Sequence, residues 1–260
     1  MFVKSNLKKS NLLLPGFHGV HESLLKRRLR IEEIWIADGK KGDRTQEIIQ
    51  IAEDRGIPVQ YKSNSELSSH FPETIHQGIV ASAENFKYSS LDYILNRPRQ
   101  EDGYSLVIVL DHITDEGNFG ALVRTAAFFG AQGVIIPKDR SAKVTSTVFK
   151  RSSGTCVYME IVRVVNLART LSLLKKSGFW IIGTSGESQD SIYNFDWKRD
   201  IVLVLGSEEK GLSRTVREQC HVSLSIPSFH RVESLNVAVA GGVILSEICR
   251  QRGFKPQHEK

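Results

Sequence analysis

No apolar run in this chain approaches the roughly 18 residues of a membrane-spanning helix. The stretch Leu12 to Leu14 is too short for the core of a secretion signal, so the expected location is the cytoplasm, with no membrane partner. Cysteine is scarce: Cys156, Cys220 and Cys249 stand far apart, with no CxxC pair and no histidine spacing that completes a zinc site. They read as buried thiols in a reducing compartment, and no metal site is expected. GxGxxG is missing, which removes the signature of a dinucleotide fold, and GxSxG is missing, which removes the serine hydrolase elbow. Gly206 and Gly211 have the spacing of a phosphate-binding loop and Ser213 has its hydroxyl, but Leu212 stands where that loop needs lysine. Internal repeats and low-complexity segments are absent as well.

What remains is an ordinary globular composition on 260 residues, enough for two domains. The net charge of +6 and a pI near 9.2 favour an anionic partner, with nucleic acid the first candidate. Residues 1 to 11 carry three lysines and little that packs, and read as a frayed basic tail. From Leu12 to about Glu84, short helical and strand patterns alternate: a helix over Val20 to Arg28, a strand over Ile34 to Ala37, a helix over Thr45 to Arg55 closed by Gly56, and strands at Val59 to Tyr61 and Ile79 to Ala83. This module carries HGVH at His18 to His21, the basic run Lys26 to Arg30, and His76-Gln77-Gly78. A polar segment, a short helix at Leu91 to Leu95 and the turn formers of Asn96 to Gly103 follow, placing a domain boundary near residue 86. The expected domains are therefore 1–85 and 86–260.

The second domain opens with Leu106 to Leu110 and Val134 to Ile136, two apolar runs flanking a loop and a short helical pattern, as in a buried parallel sheet. Between them Asn118 reads as an N-cap and Arg124 falls back on a nearby helix face. Further on come a helix ending near Arg151, a strand over Val157 to Val165, a helix over Leu167 to Lys176 and a strand over Phe179 to Ile182 closed by Gly183 to Gly186. Ile201 to Leu205 leads into Gly206-Ser-Glu208, and Val222 to Ile226 leads through Pro227 to Ser234-Leu235-Asn236. Loops beyond the carboxyl ends of strands are where open α/β sheets place ligands. The last helix, Leu235 to Arg250, holds Ala238, Ala240, Gly241 and Gly242, which predicts a close packing partner.

These loops, in this order and spacing over nearly all of residues 104 to 252, resemble the three motifs of the SpoU branch of the SPOUT RNA methyltransferases. The resemblance implies an α/β fold whose C-terminal parallel-sheet domain forms a deep trefoil knot, and a homodimer built through that domain. It implies S-adenosylmethionine as cofactor, against Thr184, Gly186, Gly206, Ile226, Ser234 and Leu235, and a catalytic set of Asn118, Arg124, Glu208, Ser234 and Asn236. The HGVH and HQG signatures resemble the small ribosomal-protein-like domain that, in part of the family, guides the enzyme to large-subunit ribosomal RNA; PKDRSA at Pro137 and the stretch from Arg163 to Leu171 point the same way. The implied reaction is ribose 2'-O-methylation of a guanosine in 23S rRNA. A tRNA methyltransferase and a non-catalytic rRNA-binding assembly protein are the alternatives. Glu116-Gly117 departs from the family's proline-containing turn, and Phe229-His230-Arg231 is bulkier than its usual glycine-containing loop, which leaves the target nucleotide open.

Overall fold

The computed structural model describes residues 11–26, 28–71, 76–96, 103–229 and 234–253. Of the sequence expectations, residues 1–10 of the basic tail, Arg27, most of the turn between Asn96 and Gly103, and His230 and Arg231 lie outside these.

The chain forms two compact units. The first begins with β1 (Leu12–Pro15), α1 (Phe17–Lys26), β2 (Ile31–Ala37), α2 (Asp43–Asp54), β3 (Val59–Lys62), α3 (Asn64–Ser69) and β4 (Ile79–Ala83). Its sheet has the order β1-β4-β2-β3, with β4 antiparallel to both β1 and β2, and β3 parallel to β2. The carboxyl ends of β1 and β2 and the start of β4 therefore share one end of the sheet. Trp35, Ala37, Leu67, Phe71 and Val80 form a core cluster on it. The β1 and α3 elements add to those expected from sequence; α3 is fixed by a capping box in which Ser63 Oγ accepts from Glu66 N while Glu66 accepts from Ser63 N.

The second unit begins with α4 (Leu91–Leu95), β5 (Leu106–Asp111), α5 (Glu116–Phe128) and β6 (Gly133–Pro137). The segment Lys143–Tyr158, with α6 (Ser146–Arg151), then belongs to the first unit, whereas the sequence pattern had placed all of 86–260 in one domain. The physical reason is apolar: Val148 and Phe149 of α6 are fully buried, α6 packs on β1, and Phe149 meets Phe86 edge-on at 6.2 Å. The chain re-enters the second unit through β7 (Glu160–Val164), α7 (Leu167–Lys176), β8 (Trp180–Thr184), β9 (Ile201–Gly206), α8 (Arg214–Arg217), β10 (Val222–Leu224) and α9 (Val237–Arg252). The strand expected from Val157 starts at Glu160 because Thr155–Val157 forms a 3-10 turn first. Six strands pair in the order β10-β8-β9-β5-β6-β7, every neighbour parallel. β5, β6 and all of β9 but Gly206 are fully buried, so they read as continuous apolar runs rather than alternating ones.

Two expectations about α5 and α9 change in detail. The N-cap of α5 is Asp115, whose Oδ1 accepts from Asn118 N at 2.6 Å; Asn118 sits inside the first turn. The small-residue run of α9 is met within the chain: a Cβ on Gly241 would lie 2.7 Å from Leu122 Cδ2 of α5 and 3.2 Å from Leu205 Cδ1 of β9.

Candidate active site

Asp111 ends β5 directly opposite Gly206, which ends β9. Gly206 leaves no room for a side chain unless the backbone shifts, since a Cβ there would stand 2.3 Å from the carbonyl carbon of Gly211. That contact lets residues 207–211 fold into a tight turn closed by Gly211 N donating to Ser207 O at 2.8 Å and Ser207 N donating to Gly211 O at 3.1 Å. The fully buried Asp111 carboxylate pins the far side of the turn, accepting from Ser213 N at 2.6 Å, and meets His112 Nδ1 at 2.5 Å. Asp111 and His112 thus have a structural task, consistent with a polar group buried at a strand end.

The turn projects Glu208 toward the N-termini of two helices. Glu208 Oε1 accepts from Asn118 Nδ2 at 3.2 Å, from Asn236 Nδ2 at 2.8 Å and from the backbone N of Val237 at 3.1 Å. Asn236 Nδ2 also donates to Asn118 Oδ1 at 2.8 Å, and Asn236 Oδ1 caps α9 by accepting from Ala238 N and Val239 N. One carboxylate oxygen therefore joins the first turn of α5, the turn after β9 and the start of α9, and each amide is held in one orientation by using both its ends. A negative charge at the N-terminus of α9 is also favoured by the helix dipole. Arg124 lies on α5 beyond Asn118 with its side chain exposed.

Of the catalytic set expected from sequence, Asn118, Glu208 and Asn236 come together in this cluster and Arg124 shares the helix of Asn118. Ser234 stands exposed in the approach to α9, with no hydrogen bond to the cluster among the described residues. Thr184, Gly186, Gly206 and Ile226 all follow or end the adjacent strands β8, β9 and β10, on the same end of the parallel sheet. The Thr184 hydroxyl is engaged at 3.1 Å by Val204 O, and the following loop is strapped to β10 by Ser185 N donating to Leu224 O and Ser188 Oγ to Ser223 O. These loops offer main-chain groups and small residues, with half-exposed Ile226 and the 46% exposed Leu235 as apolar surface. That combination fits a purine nucleoside carrying an amino acid chain. Asp115 was not anticipated; its spacing three residues before Asn118 is the signal that identifies the cap.

Burial pushes the Cys156 thiol up to about 12 and the Cys220 thiol up to about 11, so neither is a ready nucleophile. No cluster of three metal-ligating side chains occurs among the described residues, and no helix of theirs is long and apolar enough to cross a membrane. An open cavity of about 480 Å³ runs along α9, lined by Tyr193, Val239, Gly242, Val243, Ser246 and Glu247.

Comparison with known proteins gives two family matches: residues 105–246 match the SpoU rRNA methylase family, and residues 13–89 match the RNA 2'-O ribose methyltransferase substrate-binding family. The chain is 39% identical, over 91% of its length and 95% of the relative's, to the 23S rRNA (guanosine-2'-O-)-methyltransferase RlmB of Pseudomonas aeruginosa. It is 40% identical, over 96% and 99%, to the protein of the same name from Ralstonia nicotianae. Among solved structures, the SpoU methyltransferase AviRb of Streptomyces viridochromogenes in complex with AdoMet superposes with a TM-score of 0.78 over 95% of this chain and 94% of that one, at 24% identity, which speaks for the fold. With the motif cluster assembled at the carboxyl ends of a parallel sheet and a family match that covers all six of its strands, the chain belongs to the SpoU rRNA methylase family.

Proposed function

We propose that this chain transfers a methyl group from S-adenosylmethionine to the ribose 2'-hydroxyl of a guanosine in 23S rRNA. The observation that carries the reading is the shared Glu208 oxygen, which locks Asn118 and Asn236 together beside the helix that bears Arg124. A protein that only bound RNA would have no use for such a network at the end of three strands.

The cofactor would rest on main-chain groups of Thr184, Gly186 and Gly206, with Ile226, Ser234 and Leu235 completing its surroundings. When bound, it supplies an electrophilic methyl group on a sulfonium. The chain's own residues do the rest. Arg124 is assigned to hold the phosphate next to the target ribose and, as a fixed positive charge, to stabilise the alkoxide that develops as the hydroxyl proton passes to solvent water. Asn118 and Asn236, held by Glu208, orient the ribose hydroxyl, and Ser234 adds a hydroxyl at the mouth. In-line positioning supplies much of the rate, which is why the cluster is fixed before substrate arrives.

The same reading makes residues 1–85 the part that selects RNA and makes the active form a homodimer working in the cytoplasm. Support for the dimer comes from α9, where Val239 is 54% exposed beside Tyr193 at 51% and the open cavity between them. The deep trefoil knot belongs to the same proposal. Mapping 2'-O-methylation across rRNA and tRNA in a strain lacking the protein tests it. Loss of one methyl group from 23S rRNA is expected; an intact 23S pattern, or a loss confined to tRNA, would overturn it.

A further inference from the structure

The first unit gathers cations that no carboxylate among the described residues pairs with. Three left-handed backbone positions mark the place, at one end of the sheet: Gly16 after β1 (φ +90°), and Gln77 and Gly78 before β4 (φ +55° and +72°). Gly16 N donates to Ile79 O at 2.8 Å and Ala37 N to Gly78 O at 2.9 Å, so the ends of β1, β4 and β2 meet there. Gln77 is not a glycine, and a left-handed glutamine costs energy that the surroundings must offset.

Two lysines arrive at this corner from distant parts of the sequence. Lys150 of α6 lays its ammonium against Gly16: a Cβ on Gly16 would stand 2.9 Å from Lys150 Nζ and 3.3 Å from Gln77 Oε1. Lys40, in the turn after β2, lays its stem over Gly78, where a Cβ would meet Lys40 Cδ at 2.8 Å. Among the described residues no carboxylate reaches ion-pair distance of either ammonium. His76 reports the field between them. Its Nδ1 accepts from Gly78 N at 3.0 Å and its Nε2 meets Ser68 Oγ at 3.0 Å, and its basicity is held below the ordinary value by burial, by Lys150 and by Lys40. Burial also lowers Lys150 itself. Arg44 lies over the ring of Phe17, the residue after Gly16, at 5.3 Å.

We propose that Lys40 and Lys150, converging over Gly16, Gln77 and Gly78, clamp one backbone phosphate of the RNA. This rests on the rRNA reading above and adds to it a specific site, half of which is supplied by α6 from the middle of the chain. A phosphate suits the place because it brings the compact negative charge that two part-buried ammoniums require, and glycines at the rim let the backbone of the RNA come close. The clamp positions RNA and reads no base.

The test uses full-length protein and deproteinised 23S rRNA, with binding followed against salt concentration and methyl transfer at saturating cofactor. Each phosphate neutralised contributes a slope of about 0.7 to 0.9 to the fall of log affinity with log salt. Lys150→Met and Lys40→Met are each expected to weaken binding and lower that slope by up to about one unit, raise KM for RNA and leave kcat unchanged. The double variant loses little more slope than the worse single one, because both lysines grip the same phosphate. Lys150→Arg restores most of the affinity. If Lys150→Met lowers the melting temperature but keeps affinity and slope, the lysine is structural and the clamp is overturned; two full units lost in the double variant overturn the single shared phosphate. A parent protein that neither binds nor methylates 23S rRNA overturns the function along with the clamp, whereas a parent that methylates it beside an unaffected Lys150→Met overturns the clamp alone.

Discussion

The two units treat charge in opposite ways. In the second, the carboxylate of Glu208 is consumed by donors from three segments, and Asp111 is buried with both oxygens engaged. In the first, Lys40 and Lys150 crowd His76, and among the described residues no carboxylate forms an ion pair with either. The difference follows from what each unit is asked to do. Positioning a reacting hydroxyl needs dipoles fixed in advance, and a closed hydrogen-bond network fixes them. Attracting a polyanion needs positive charge left unspent, and the protein leaves it where the phosphate would otherwise be supplied by nothing.

The sharpest break in this comparison is Arg124→Ala. It is expected to cut methyl transfer by about 10²- to 10³-fold while calorimetry finds cofactor affinity nearly unchanged, since the proposed cofactor loops begin at residue 184. Arg124→Lys separates charge from geometry, because lysine keeps the charge but loses the planar fork. Transfer at the parental rate by Arg124→Ala would return the chain to the non-catalytic alternative.

Next in size, Glu208→Ala strands the amides of Asn118 and Asn236 and the Val237 N–H. A displacement of about 1 Å in a positioning group can cost on the order of 10²-fold, so kcat is expected to fall by up to about that factor with RNA affinity intact. The outcome that breaks the contrast between the units is the reverse, lost RNA binding with normal kcat. Gly206→Ala comes third: its methyl group collides with Gly211 backbone, an overpacking of about 1 to 3 kcal/mol. Thermal unfolding should register a fall of about 2 to 4 °C per kcal/mol, together with weakened cofactor binding.

How much of this was legible in the sequence depends on the range of the signal. β5, β6 and β9 announced themselves as apolar runs, and α7 was placed at Leu167 to Lys176 because its period and caps are local. The loops after β8, β9 and β10 were recognisable in order, yet that β9 lies between β8 and β5 is a fact about pairing that no local pattern encodes. The allegiance of α6 was illegible for a related reason. Val148 and Phe149 mark one apolar face, and an apolar face reads the same whichever core receives it. Asn118 was given the cap because asparagine favours it; Asp115, three residues earlier, satisfies the same rule and wins the position by reaching the Asn118 N–H.

The smallest expected effect probes a feature that the units share. His76 in the first and His221 in the second each accept a backbone N–H at Nδ1, from Gly78 and Ile181, and both are less basic than an ordinary histidine, chiefly through burial and nearby lysines. The unfolded chain therefore takes up these protons first as the pH falls. The stability they contribute is present above about pH 6.5 and is lost as the pH drops through their lowered folded values. Denaturant titrations at pH 7.5 and 5 should show a modest decline that His76→Asn and His221→Asn together reduce. An unchanged decline in the double variant would assign the acid sensitivity elsewhere.

The Glu208 oxygen has a consequence in time as well as in space. Its partners Asn118 and Asn236 stand 118 residues apart in the chain, so the cluster closes only once everything between them has been made. Domains generally fold as the chain emerges, from the amino end onward. The first unit also waits, for Lys143–Tyr158, before Lys150 is in place. A chain stopped before Lys150 thus lacks both halves of the apparatus, one stopped before Asn236 lacks only the closed cluster, and the two halves mature in that order.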